Sequence, residues 1–273
     1  MENFSISPSA MVSSLARNRG LVFELAWRET VGRYKGSVFG LFWSLIIPLL
    51  MLAIYTFVFS EIFVTRWGGA AAQSKTSFAV ILFAGLIIFN VFAECVTKAP
   101  TIVLSNANFV KKVIFPLEIL PCVTVLSALF HAAVSIGVLL VFQWLSSGSV
   151  PVTAWLVPLV LMPVILLLVG LAWLLAALGV YLRDVGQTVG IIMTGMLFIS
   201  PIFFPVSSFP ERWRILADIN PLTYPIEQMR DVLVMGRPLI WESWLLYFAF
   251  AATVAWIGFA AFQKSRRSFA DVI

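Results

Sequence analysis

Residues 98–121, KAPTIVLSNANFVKKVIFPLEILP, decide how the rest of the chain is read. Ser105, Asn106, Ala107 and Asn108, followed by Lys111 and Lys112, make a short polar island between two long apolar runs. Positive loops are retained in the cytoplasm, so two lysines beside a span place this elbow on that side. Pro116 and Pro121 punctuate the way back into apolar sequence, since proline fits a helix start and breaks a helix interior. A cytoplasmic elbow between two spans is where a soluble partner can push on them.

Composition agrees. Of 273 residues, 61% are hydrophobic and 11% charged, and the mean hydropathy is +0.99. A soluble domain carries about a quarter charged residues, so most of this chain belongs in a bilayer. The net charge of +5 does not imply nucleic acid. The basic residues flank apolar runs instead of forming a groove-like patch. Cys95 and Cys122 stand far apart in apolar sequence and argue for small core residues, not for a disulfide or a metal site.

Outward from the elbow, the apolar runs predict an all-α integral membrane protein with six spans, at about 38–60, 78–97, 120–145, 152–182, 185–205 and 241–262. Residues 1–17 are Ser-rich and polar and read as a mobile leader before a single membrane domain, 18–273. In 18–37, Leu21, Val22, Leu25 and Trp27 give an apolar stripe at helical spacing, with Arg28, Glu29, Arg33 and Lys35 beside it. This predicts an amphipathic helix lying in the headgroup layer. Pro48 should kink the first span, and the fourth is long enough to tilt or to break near Pro158 and Pro163. Gly186 and Gly190 in the fifth allow close helix approach.

Residues 206–239 hold four basic residues, four acidic residues and four prolines, too polar to span. Trp213, Leu216, Ile226, Met229 and Leu233 nevertheless recur at helical spacing. They predict two short helices in the outer leaflet, separated at Asn220-Pro221. Twelve of the eighteen lysines and arginines then fall in cytoplasmic segments and six outside, which puts both termini in the cytoplasm.

The chemistry is as informative by what is missing. No G-x-x-x-x-G-K-[ST] occurs, so the chain binds no ATP through a P-loop. His131 has Ser127 and Ser135 four residues away on either side, the one arrangement that could suggest an intramembrane hydrolase. No G-x-S-x-G accompanies it. Glu61, Glu94 and Glu118 fall at span ends, so no midplane proton relay is visible. The chain has the body of a transporter without its own energy source.

Four stretches carry a resemblance: RETVGRYKGSVFGLFWSLIIPLLMLAIYTFVFSEIF from Arg28, SNANFVKKVIFPLEILP from Ser105, YLRDVGQ from Tyr181, and SPIFFPVSSFPERWRILADINPLTYPIEQMRDVLVMGRP from Ser200. In this order they resemble the type-2 ABC exporter permeases that move polysaccharides, and within these the O-antigen export permeases, with teichoic-acid and capsule exporters as near relatives. The resemblance implies a homodimer paired with two copies of a separate ABC ATPase, which would hold ATP and Mg. It also implies a lipid-linked glycan as cargo and the bacterial inner membrane as location. It assigns the ATPase contact to residues 18–37, with Arg28 and Arg33, and to 105–113. The latter is expected as a short helix begun by Asn106 or Asn108, with Phe109 as apolar anchor and Lys111 and Lys112 as pairing cations. An exit gate is expected over 209–234, with Trp213, Asn220 and Met229. A conduit built from spans one and five would be lined by Tyr55, Phe59, Phe198 and Phe203. Aromatic faces offer a sugar weak sites along which a polymer keeps sliding, and Phe248 of the last span is the lipid-facing comparison. A small-molecule exporter of the same architecture, and an enzyme using His131, remain as alternatives.

Overall fold

The protein, described by a computed structural model over residues 5–58, 75–110 and 115–272, is built from helices; among the described residues there is no strand. α1 (Pro8–Arg17) and α2 (Arg19–Gly32) precede the bundle. α3 (Trp43–Phe57), α4 (Lys75–Lys98) and the short α5 (Ile102–Ser105) and α6 (Ala107–Val110) follow. Then come α7 (Ile119–Ser147), α8 (Val157–Tyr181), α9 (Val185–Ile199), α10 (Arg214–Ile219), α11 (Thr223–Arg230), α12 (Trp241–Ser265) and α13 (Phe269–Val272).

Among the described residues, five stretches are long and apolar enough to cross a membrane: Gly40–Phe57, Phe78–Ser105, Ile119–Ser147, Val152–Tyr181 and Trp241–Ser268. The second is the axis of the bundle, with 83% of its apolar window buried within the chain, against 17% for the first, which lies at the periphery. That axis is longer than its hydropathy alone predicts. The helix passes through Ala99–Thr101 in a tighter turn and ends at Ser105, so the polar elbow begins at Asn106 and not at Lys98. The expected fifth span is shorter than predicted. α9 ends at Ile199, where Ser200-Pro201 breaks it. Its fifteen residues reach about 22 Å, less than the roughly 30 Å of a hydrocarbon core.

α7 closes at Gly148, which adopts φ +72° and donates its N–H to the Trp144 carbonyl at 2.8 Å. α8 does not break. Pro158 sits in its first turn, where no intrahelical N–H is needed, and Pro163 lies inside a continuous helix. Proline 163 cannot donate to the Leu159 carbonyl, and the indole N–H of Trp244 on α12 does so instead, at 2.8 Å. A neighbouring helix thus satisfies the backbone group that Pro163 releases. Tyr247, also on α12, donates its hydroxyl to the Pro221 carbonyl just ahead of α11, at 2.9 Å.

Small residues set the closest approaches. A Cβ on Gly258 of α12 would lie 2.0 Å from the Gly170 carbonyl of α8, and one on Gly179 would lie 2.0 Å from the Pro100 carbonyl. The approach expected at Gly186 and Gly190 is not made among the described residues, where a Cβ at either would meet nothing within 4 Å.

The polar stretch after α9 folds into the bundle. The break at Asn220-Pro221 separates α10 from α11 as expected, but α11 does not lie on a surface. Leu222, Ile226, Met229, Val232 and Leu233 are fully buried in the main core, against α4 and α8. Residues 8–17, expected as a mobile leader, form helix α1, begun by Ser7, whose Oγ accepts from the Ala10 N–H at 3.1 Å, with Pro8 in the first turn.

Candidate coupling site

α2 and the elbow meet at one end of the bundle. α2 turns Ala26 and Thr30 inward against α7, where Thr30 and Ser127 share a hydrogen bond at 3.0 Å and Trp27 meets Phe130 edge to face. Beside this face Phe23 and Val31, and half of Trp27, stay exposed. Its apolar residues therefore serve two faces, not the single stripe the sequence suggested. Two ion pairs tie it to α4, Arg33 with Glu94 and Lys98 with Glu29 at 3.2 Å, and Lys98 also pairs with Glu94 of its own helix at 3.0 Å. Burial opposes the Arg33 charge, but the Glu94 carboxylate outweighs it and leaves the guanidinium pKa raised.

Between α2 and the elbow runs an open groove of about 360 Å³. Leu25, Arg28 and Glu29 form one wall and Ser105, Asn106 and Phe109 the other. Three of the residues singled out in the sequence, Arg28, Asn106 and Phe109, are thus brought to one place. Asn106 does not act as the expected N-terminal cap. Its Nδ2 donates back to the Ile102 carbonyl at 2.8 Å and closes α5, while its backbone carbonyl takes the Phe109 N–H. The helix that follows is one turn, Ala107–Val110, with Asn108 exposed. The Phe109 ring stacks on Phe115, with centroids 4.2 Å apart and planes at 7°, so it packs against its own chain. Lys111 and Lys112 lie outside the described residues, as does Phe59.

A second cavity, of about 180 Å³, lies between α2, α3, α4 and α7 and presents Arg33, Tyr34, Asn90, Glu94, His131 and Ser135. Here His131 Nδ1 faces the Tyr34 hydroxyl at 3.4 Å. Ser135 donates to the His131 carbonyl of its own helix at 2.8 Å and Ser127 pairs with Thr30. Neither serine engages the ring, so the Ser–His contact a hydrolase needs is not formed.

The remaining sequence-derived residues separate. Phe198 and Phe203 stack at 6.1 Å, Phe198 being 68% exposed, and Tyr55 leans on the main core from α3. Phe248 is not a lipid-facing comparison; it stacks on Trp244 and packs against the core. At the far end, Trp213 is exposed beneath the Arg212 guanidinium at 5.6 Å, and Met229 is fully buried. Asn220 is buried at the break before α11: its Oδ1 accepts from the Leu222 N–H at 2.9 Å and its Nδ2 donates to Ser200 Oγ at 2.9 Å.

Two residues of consequence escape sequence reading. Arg230, 4% exposed, donates to the carbonyls of Ile81, Pro201 and Ile202, tying α11 to the axis helix and to the break after α9. Burial lowers its pKa to about 10, so it keeps its charge at neutral pH. Its place among Ile226, Met229 and Leu233 on one helical face was the available signal. Glu118 is the other, and its contacts follow below.

The sequence profile of ABC-2 type transporters matches residues 20–234. The chain belongs to the ABC-2 type transporter family. An O-antigen export system permease protein of Klebsiella pneumoniae is 26% identical over 262 residues, 94% of this chain and 97% of that protein. One from Myxococcus xanthus is 26% identical over 270 residues, 96% and 99% of the two chains. A polysialic acid transport protein of Escherichia coli is 24% identical over 215 residues, 77% and 79%. This ABC-2 chain is therefore a membrane permease related to O-antigen and capsule polysaccharide exporters.

Proposed function

We propose that this permease is the membrane subunit of an ATP-driven exporter of lipid-linked polysaccharide, O-antigen or a related surface glycan. The observation that carries the proposal is the match, over nearly the full length of both chains, to proteins named for O-antigen export. Those names favour a glycan over a small-molecule cargo.

In this reading two copies of the chain pair in the bacterial inner membrane with two copies of a separate ATPase, which supplies ATP and Mg, and both termini are cytoplasmic. The ATPase engages the elbow end. Support for that comes from the open groove between α2 and the elbow, where Arg28, Asn106 and Phe109 converge. The ion pairs of Arg33 and Lys98 couple α2 to the axis helix, so movement of one carries the other. The conduit runs along spans one and five, with Tyr55, Phe59, Phe198 and Phe203 as weak sugar-facing platforms. The gate of Trp213, Asn220 and Met229 lies at the opposite end, hinged where Asn220 holds Ser200.

Deleting the gene and tagging its product test the proposal together. The deletion strain is expected to lose its surface glycan and accumulate the lipid-linked form, and the tagged chain to retain an ATPase through purification. A full surface glycan layer in the deletion strain would refute it.

A further inference from the structure

The elbow end has a hydrophobic core of its own, distinct from the main one, and Glu118 lies within it, 7% exposed. Its two carboxylate oxygens are taken by opposite ends of the chain. Ser14 of α1 donates its hydroxyl to Oε1 at 2.7 Å, and Arg266, just beyond α12, donates Nη1 to Oε2 at 2.6 Å. Arg266 Nη2 reaches the Phe115 carbonyl at 2.9 Å, and the indole N–H of Trp173 on α8 reaches the Glu118 carbonyl at 2.8 Å. Both terminal segments are docked by apolar contacts as well. Met11 and Leu15 of α1 pack on this core, and Phe269 behind Arg266 is fully buried in it. Ser14 and Arg266 both fall outside the family-matched residues 20–234.

An apolar side chain would fill this space at no desolvation penalty, whereas a buried carboxylate is tolerable only when paired and hydrogen-bonded. What the carboxylate adds is direction. It joins α1 and the tail to the start of α7, where the Glu118 backbone carbonyl holds Trp173 of α8, three residues beyond the Phe115 ring that stacks on Phe109. The contacts run without a gap from Ser14 and Arg266 through Glu118 and Phe115 to Phe109 in the elbow.

We propose that Glu118 is a positioning residue through which the N-terminal helix and the C-terminal tail set the pose of the elbow. A push on the elbow then moves α7 and α8 instead of dissipating in the loop. The idea rests on the reading that the elbow meets an ATPase.

The test uses the permease with its ATPase in lipid vesicles, carrying Asn108→Cys with a nitroxide label; the native Cys95 and Cys122 are buried. Losing a charge-assisted hydrogen bond shifts the docked–undocked equilibrium of the elbow at least about tenfold. Arg266→Gln should therefore mobilise the label and raise the ATP consumed per glycan exported. Ser14→Ala, which removes one neutral donor and keeps the Arg266 ion pair, should do both to a smaller degree, and Arg266→Lys should restore most of the coupling. A label equally ordered in Ser14→Ala and Arg266→Gln overturns the proposal. So does a mobilised label with an unchanged ATP-to-glycan ratio. Absence of any ATP-driven export by the unsubstituted complex would refute the exporter reading instead, and the label would still decide whether Glu118 holds the elbow.

Discussion

Trp244 donates its indole N–H to the carbonyl of Leu159, in the gap that Pro163 opens in α8. The bond explains why a thirty-residue apolar stretch with two prolines stays continuous, and it assigns to α12 a role beyond filling space. Trp244→Phe keeps a ring against Phe248 but removes the donor, leaving a carbonyl unpaired at a cost of about 1–3 kcal/mol. Pro163→Ala restores the backbone donor, so in that background the cost of Trp244→Phe should fall by about 1 kcal/mol. Thermal unfolding of the four proteins in detergent reads this out, and equal costs in both backgrounds would reject the compensation.

Arg230 donates to three backbone carbonyls from two separate segments, Ile81 on the axis helix and Pro201 and Ile202 after α9. Arg230→Met keeps the apolar stem and removes all three bonds, which should cost about 3 kcal/mol or more. Gly85→Ala attacks the same clamp from the axis helix, since a Cβ there would lie 3.0 Å from Arg230 Nη2 and 3.2 Å from Ile226. Both variants should lower the unfolding temperature in detergent; an Arg230→Met protein as stable as the parent would contradict the clamp.

Glycines of α8 and α12 should be intolerant where those of α9 are not. Gly258→Ala would set a methyl 2.0 Å from the Gly170 carbonyl, and separating the helices costs about 1–3 kcal/mol. Gly190→Ala meets nothing among the described residues, so each isolated protomer should gain the usual helix preference of alanine, about 1 kcal/mol. If α9 faces a second copy, the same change should weaken the dimer while leaving the protomer stable. Unfolding and size-exclusion measurements on both variants separate these effects.

The long apolar helices were legible in the sequence, and so was the break at Asn220-Pro221, because periodicity and proline are local signals. The early end of α9 was written in Ser200-Pro201 and hidden by the apolar residues beyond it. Ser7-Pro8 is a helix-start signal inside a segment whose serines suggested none. Asn106 has the right composition for a cap but bonds backward, to the Ile102 carbonyl one turn behind it at the end of α5. Glu118 was unreadable for a different reason: its partners lie 104 and 148 residues away, beyond the reach of any spacing rule.

The proposed conduit makes a prediction about water. Phe198→Cys should react with a water-soluble thiol reagent during export, because its side chain is exposed on α9. Leu246→Cys, replacing a side chain 74% exposed on α12, should stay unreactive in lipid. Equal labelling of the two positions would place Phe198 in the bilayer and not beside a glycan.

The central claim is that this chain moves a glycan only when an ATPase drives it. The direct measurement is transfer of a fluorescent lipid-linked glycan across vesicles containing the permease, with and without its ATPase and with and without ATP. The account predicts transfer only when permease, ATPase and ATP are all present, and its loss with Arg33→Glu, which sets two acids against each other at Glu94. Transfer by the permease alone, or ATP hydrolysis by the full complex with the glycan left in place, would contradict it.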